Sequence, residues 1–205
     1  NLLVYDAKTK IYSLRFPNLK ALTLTNDVLD NMGSLSNYKQ LEMLSLGNNR
    51  FRSTSFLTEY FNLKELDISY NTLDTLIFSE KHKTLRTLRL SGNAHLNNYN
   101  SLKWLSNLEV LDVSTSRFNS LSVLNCSGSL KELNIANSRI NTLKEITRFK
   151  ALEVLSISSL TIADLEHLKS LRSLKQLNIY NSTLLNAEVK EKLEKQLPKI
   201  AIRLL

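Results

Sequence analysis

The sequence is poor in the residues that staple, bend or span. A single cysteine in 205 residues cannot form an intramolecular disulfide, so no covalent cross-link holds the chain. Four glycines and two prolines exclude a collagen-like or proline-rich architecture. No apolar run reaches the ~18 residues of a membrane-spanning helix. The glycines stand apart at 33, 47, 92 and 128, so there is no glycine-rich phosphate loop, and no Cys/His spacing suits a metal. His82, His95 and His167 fall far apart in sequence and are expected as surface or half-buried residues; Cys126 is expected as a structural or exposed thiol. No Ser/His/Asp or Cys/His set converges. The expectation is a chain that is not an enzyme and takes no cofactor or metal.

Leucine is abundant: 43 of 205 residues, with 42% hydrophobic and 22% charged, which excludes disorder. The leucines are periodic. Leu-x-x-Leu-x-Leu-x-x-Asn-x-Leu stands at Leu41, Leu44, Leu46, Asn49 and Phe51, and again at Leu63, Leu66, Ile68, Asn71 and Leu73. Looser copies start at Leu19, Leu85, Leu108, Leu130, Leu152 and Leu174, and Leu197, Ile200 and Ile202 read as a ninth, partial copy. The starts step by 22 or 23 residues. Within each copy a period-two segment predicts a short strand, and the second half, apolar every third residue as in Ile140, Leu143, Ile146 and Phe149, predicts a return closer to 3₁₀ than to α-helix. One strand and one return per period make a solenoid coil, and no coil can bury its leucines alone.

These motifs resemble the leucine-rich repeat superfamily. The period and the second-half pattern are similar to its 22-residue class, which includes type-1 phosphatase regulatory repeat proteins and bacterial internalins. The resemblance implies an α/β leucine-rich repeat solenoid: a curved parallel sheet on the concave side, 3₁₀ or helical returns on the convex side, and a protein partner on the concave face. Strands ~4.8 Å apart would give a sheet roughly 40 Å long. The ninth-position Asn is expected to turn inward and bond its own turn and the next coil. Asn49, Asn71 and Asn93 fit; Ser116, Ser138 and Ser182 replace it, Asp27 is a stand-in, and Leu160 predicts a differently built turn.

The reading is one domain over residues 1–205: a degenerate coil at 1–18, eight repeats over 19–184, and a C-terminal helix and final strand over 185–205. Asn186 is the expected N-cap of a helix from Ala187 to Gln196, with Pro198 as its stop and Lys199 and Arg203 guarding the edge strand. The chain opens on Asn1, which is read as the start of an excised piece.

Function is expected on the sheet face. The third, fifth, seventh and eighth positions are read as pointing outward, with the seventh lane mostly small. Met43, Asp67, Tyr70, Arg89, Asp112, Glu132, Asn134 and Tyr180 are the expected partner contacts. Glu65, Asp67, Arg89, Asp112 and Glu132 make an acidic patch on a chain of net charge +8, with Arg89 able to pair with Asp67 and Asp112 across neighbouring strands. The basic excess alternates with Glu42, Glu109 and Glu153 at the second position, and aromatics are not interleaved with it, so nucleic acid is not the expected partner. Trp104 is assigned to core packing. The two N-x-S/T matches, at Asn125 and Asn181, are no more than 22 asparagines produce by chance. The leading reading is a monomeric, intracellular protein-binding scaffold. An internalin-like bacterial surface or effector protein and the substrate-recognition domain of a larger enzyme are the alternatives.

Overall fold

A computed structural model of the chain describes residues 3–6, 11–14, 18–33, 37–158, 161–181, 185 and 187–205. Among them one parallel sheet carries nine strands in sequence order: β3 (Ala21–Thr23), β4 (Met43–Ser45), β5 (Glu65–Asp67), β6 (Thr87–Arg89), β7 (Val110–Asp112), β8 (Glu132–Asn134), β9 (Val154–Ile157), β10 (Gln176–Ile179) and β11 (Ala201–Leu204). The strands are short because only the Leu-x-Leu step of each repeat has period two. Leu44, Leu66, Leu88, Leu111, Leu133, Leu155 and Leu177 pair in one row and are all buried. The returns are 3₁₀ at Ser55–Glu59, Glu80–His82, Asn100–Trp104, Leu121–Val123 and Lys144–Arg148. The next is an α-helix, α1 (Ile162–Leu168), opened by a capping box in which Thr161 and Asp164 exchange hydrogen bonds. Asp164 also accepts from the Leu143 backbone N–H, 3.1 Å away in the preceding coil, so this altered return still ties itself to its neighbour.

Two terminal expectations change. At the N-terminal end the described strands β1 (Leu3–Asp6) and β2 (Ile11–Leu14) pair antiparallel with each other in a sheet separate from the parallel one. At the other end, helix α2 (Ala187–Gln196) forms, with Val189, Leu193 and Leu197 buried and Glu188–Lys192 and Glu191–Lys195 ion-paired. Its N-cap Asn186 lies outside the described residues, as do Leu160 and Ser182. The last register differs by two residues. Ile202, not Ile200, pairs with Leu177, because the helix is longer than the 3₁₀ returns it replaces.

The asparagine ladder forms, but it reaches backward. Asn49 Nδ2 donates to Leu24 O of the preceding coil and to Leu46 O, while its Oδ1 accepts from Asp27 N and Leu29 N. Asn71 and Asn93 repeat this. Asp27 is no stand-in: its side chain is exposed. Ser116 Oγ donates to Val113 O and accepts from Phe118 N within its own coil, and it meets the Tyr99 hydroxyl of the preceding coil.

The position before the ladder residue is left-handed in every described repeat: Asn26, Asn48, Tyr70, Gly92, Thr115, Asn137 and Asn181 have φ between 49° and 72°. Asparagine and glycine tolerate this; a β-branched residue does not. Thr115→Asn should therefore stabilise the protein by about 1 kcal/mol, read as a shift in the midpoint of urea unfolding. A midpoint that falls would mean the threonine side chain is used.

Candidate functional site

The open face of the sheet is built from the third and fifth positions of each repeat. Backbone pairing places Met43, Glu65, Thr87, Val110 and Glu132 side by side in one lane, and Asp67, Arg89, Asp112 and Asn134 in the other. Met43 is 39% exposed, and Glu65, Arg89 and Glu132 are exposed beside it. Tyr70 stands at the rim, 59% exposed. Its ring lies over Gly92: a Cβ added there would sit 2.5 Å from the tyrosine Cδ1, so glycine is what lets the aromatic rest on the next coil.

Two expectations about this face do not hold. Arg89 forms no ion pair with its lane neighbours among the described residues. Asp67 turns Oδ1 back to the Ser69 N–H and hydroxyl, at 2.9 and 2.6 Å, and Asp112 Oδ1 accepts from Ser114 N at 2.9 Å while Oδ2 accepts from Asn134. Asn134 likewise accepts from Ala136 N. These half-buried carboxylates and amide close the turn after each strand. The seventh lane is therefore tucked under them rather than outward: Gly47, Ser69, Ser91 and Ala136 are buried. Tyr180 is half-buried and lies six strands from Met43, about 29 Å at ~4.8 Å per strand. The structure thus places Met43, Asp67, Tyr70, Arg89, Asp112, Glu132 and Asn134 on five consecutive strands, β4 to β8, or at their ends, and Tyr180 two strands beyond them at the end of β10. Glu65 and Val110, in the same lane as Met43, complete the face.

The flank of this face behaves differently. The eight second-position charges, from Lys20 to Lys175, are all in ion pairs: Lys20 and Lys64 with Glu42, Arg86 and Lys131 with Glu109, Lys175 with Glu153. Hydrogen bonds from Lys64, then Lys20, hold the Glu42 carboxyl below its usual range, and Lys131 does the same for Glu109. Solvent screening keeps each pair weak, but every flank charge has a partner, whereas Glu65, Arg89 and Glu132 on the face have none among the described residues.

The remaining singled-out residues sit elsewhere. His82 is buried, 5% exposed, not at the surface. Cys126 is buried, and burial pushes its thiol up to about 11, so it stays protonated and unreactive at neutral pH. Trp104 is 42% exposed, not in the core. Among the described residues no group of His, Cys, Asp and Glu could hold a metal ion, and no helix is long and apolar enough to cross a membrane.

No protein-family model matches the sequence, and no curated protein is similar to it. Solved structures do match. A leucine-rich repeat protein of Leptospira interrogans superposes with a TM-score of 0.72 at 27% identity, over 91% of this chain and 49% of that one. Internalin inlF of Listeria monocytogenes gives 0.68 at 22%, over 85% and 52%, and internalin C2 of the same organism gives 0.69 at 21%, over 90% and 80%. The fold is a leucine-rich repeat solenoid, and the chain spans about half the length of the first two proteins.

Proposed function

We propose that this chain is a non-enzymatic protein-binding module that presents the open face of its sheet to a folded partner or peptide. One observation carries the reading. Every second-position charge beside the face is paired within the sheet, whereas Glu65, Arg89 and Glu132 on the face are exposed and have no ion-pair partner among the described residues. Unpaired charges around Met43, Val110 and Tyr70 supply steering and specificity around an apolar centre. The core of buried leucines makes that surface rigid before binding, which lowers the ordering cost. A bacterial surface or effector role is the narrower reading, supported by the likeness of fold to the two internalins.

Glu65→Lys combined with Glu132→Lys tests the reading. Neither carboxylate caps a turn, so the melting temperature should stay within a few degrees of wild type. Calorimetry against a partner recovered by the chain should show at least a tenfold weaker dissociation constant, about 1.4 kcal/mol. Lys192→Glu with Lys195→Glu on α2 should bind normally. Unchanged binding by the sheet variant and loss by the helix variant would place the interface at the C-terminal end.

A further inference from the structure

A second surface lies away from the sheet, where the returns of consecutive coils run into their next strands. An open trough of about 690 Å³ crosses them, walled by Phe61, Glu80, Lys81, Lys83, Lys103 and Trp104. That volume is within the range of pockets that hold ligands. The three lysines are exposed and none is ion-paired among the described residues; Lys144, Lys150 and Lys199 are likewise unpaired but lie elsewhere, outside the trough. Folding also interleaves aromatics with this charge, which the linear sequence did not suggest. Lys81 Nζ lies 5.2 Å from the Phe61 ring centroid and Lys103 Nζ 5.0 Å from that of Trp104.

We propose that this trough docks an acidic segment of a partner protein, an extended stretch carrying several Asp or Glu side chains between apolar ones. The charge selects it: with Glu80 counted, the trough carries three positive charges and one negative. The rings select it further. One face of each ring is covered by an ammonium, which leaves less of the ring for a stacked base or sugar. What the trough offers is ammonium groups held in place by cation–π contact, with the electropositive ring edges beside them. Both suit discrete carboxylates. Glu80 within the trough opposes a continuous polyphosphate chain but leaves room for separate acidic side chains.

The test uses the chain's single tryptophan, which lines the trough. A fluorescein-labelled octapeptide of alternating Asp/Glu and Leu/Phe is titrated into the intact protein. Saturable change in Trp104 emission is expected, weakening with salt. By anisotropy, Lys81→Glu with Lys103→Glu should weaken binding at least tenfold while circular dichroism stays unchanged. Glu65→Lys with Glu132→Lys should bind the peptide as wild type does, which separates this surface from the sheet face. An oligothymidine and a heparin oligosaccharide serve as rival probes. No saturable response, equal binding by the lysine double variant, or tighter binding of either rival would overturn the proposal.

Discussion

Asn71→Ala should cost the array about 3 kcal/mol. The side chain is buried and makes four hydrogen bonds: Nδ2 donates to Leu46 O, Ile68 O and Ser69 O, and Oδ1 accepts from Phe51 N. The losses are unequal. Leu46 O keeps the Asn49 amide and Ile68 O keeps that of Asn93. Phe51 N–H loses the side-chain acceptor that joins it to the following coil, and a buried unpaired donor carries the largest part of the penalty. For a chain of this size the midpoint of thermal unfolding should fall by roughly 6–12 °C. Ser116→Ala is the comparison. That hydroxyl occupies the same repeat position but is only half-buried and replaces the buried amide with a single O–H, so its removal should cost about 1 kcal/mol. Amide exchange should localise the Asn71 effect to the coils on either side, since each repeat contacts only its neighbours. Equal losses for the two variants would mean the asparagine's additional bonds add no stability. Asn26→Ala is not a neutral control: Asn26 has φ 63° and accepts a bond from Asn48, so alanine there meets backbone strain.

The repeat was legible because burial on a solenoid depends on one number, the period. Leu44, Leu66 and their successors could be placed on one buried row from spacing alone, and Asp67, Arg89 and Asp112 on one exposed lane, since the side-chain period of a strand is two. The alternation stops where the strand stops. The seventh position lies beyond it, where the backbone heads into a left-handed turn, so Ser69 and Ser91 tuck in although the count points them out. Arg89 failed to pair because lane adjacency says nothing about competition: the backbone amides two residues on claim the neighbouring carboxylates first. Trp104 was misplaced by one residue. The buried row through its return is Tyr99, Leu102, Leu105 and Leu108, every third residue, and Trp104 falls between its members. That signal was present in the sequence. The trough was not, because Phe61, the Glu80–Lys83 turn and the Lys103–Trp104 pair come from three consecutive coils and meet only when the coils stack.

His82→Ala is expected to be as damaging as loss of the ladder, about 3–4 kcal/mol. The imidazole does on the return side what asparagine does on the strand side. Nε2 lies 3.0 Å from Leu57 O of the preceding coil, and the Ser79 N–H points at Nδ1 from 3.0 Å. The ring packs edge-on against both Phe61 and Phe78, with centroids 5.4 and 5.5 Å away. A carbonyl can only accept and an N–H can only donate. Both contacts are satisfied together by one tautomer, with the proton on Nε2; a proton on Nδ1 would set two donors against each other. Nitrogen chemical shifts should therefore place the ring proton on Nε2 in the folded protein. Alanine removes the ring from between two phenylalanines and leaves Leu57 O and Ser79 N without these partners. It also removes the support behind Phe61, so the tryptophan emission of the folded variant should shift as the trough changes shape. A ring protonated at Nδ1, or a variant that melts within a degree or two of wild type, would show that the bridge between these coils is carried by the surrounding leucines instead.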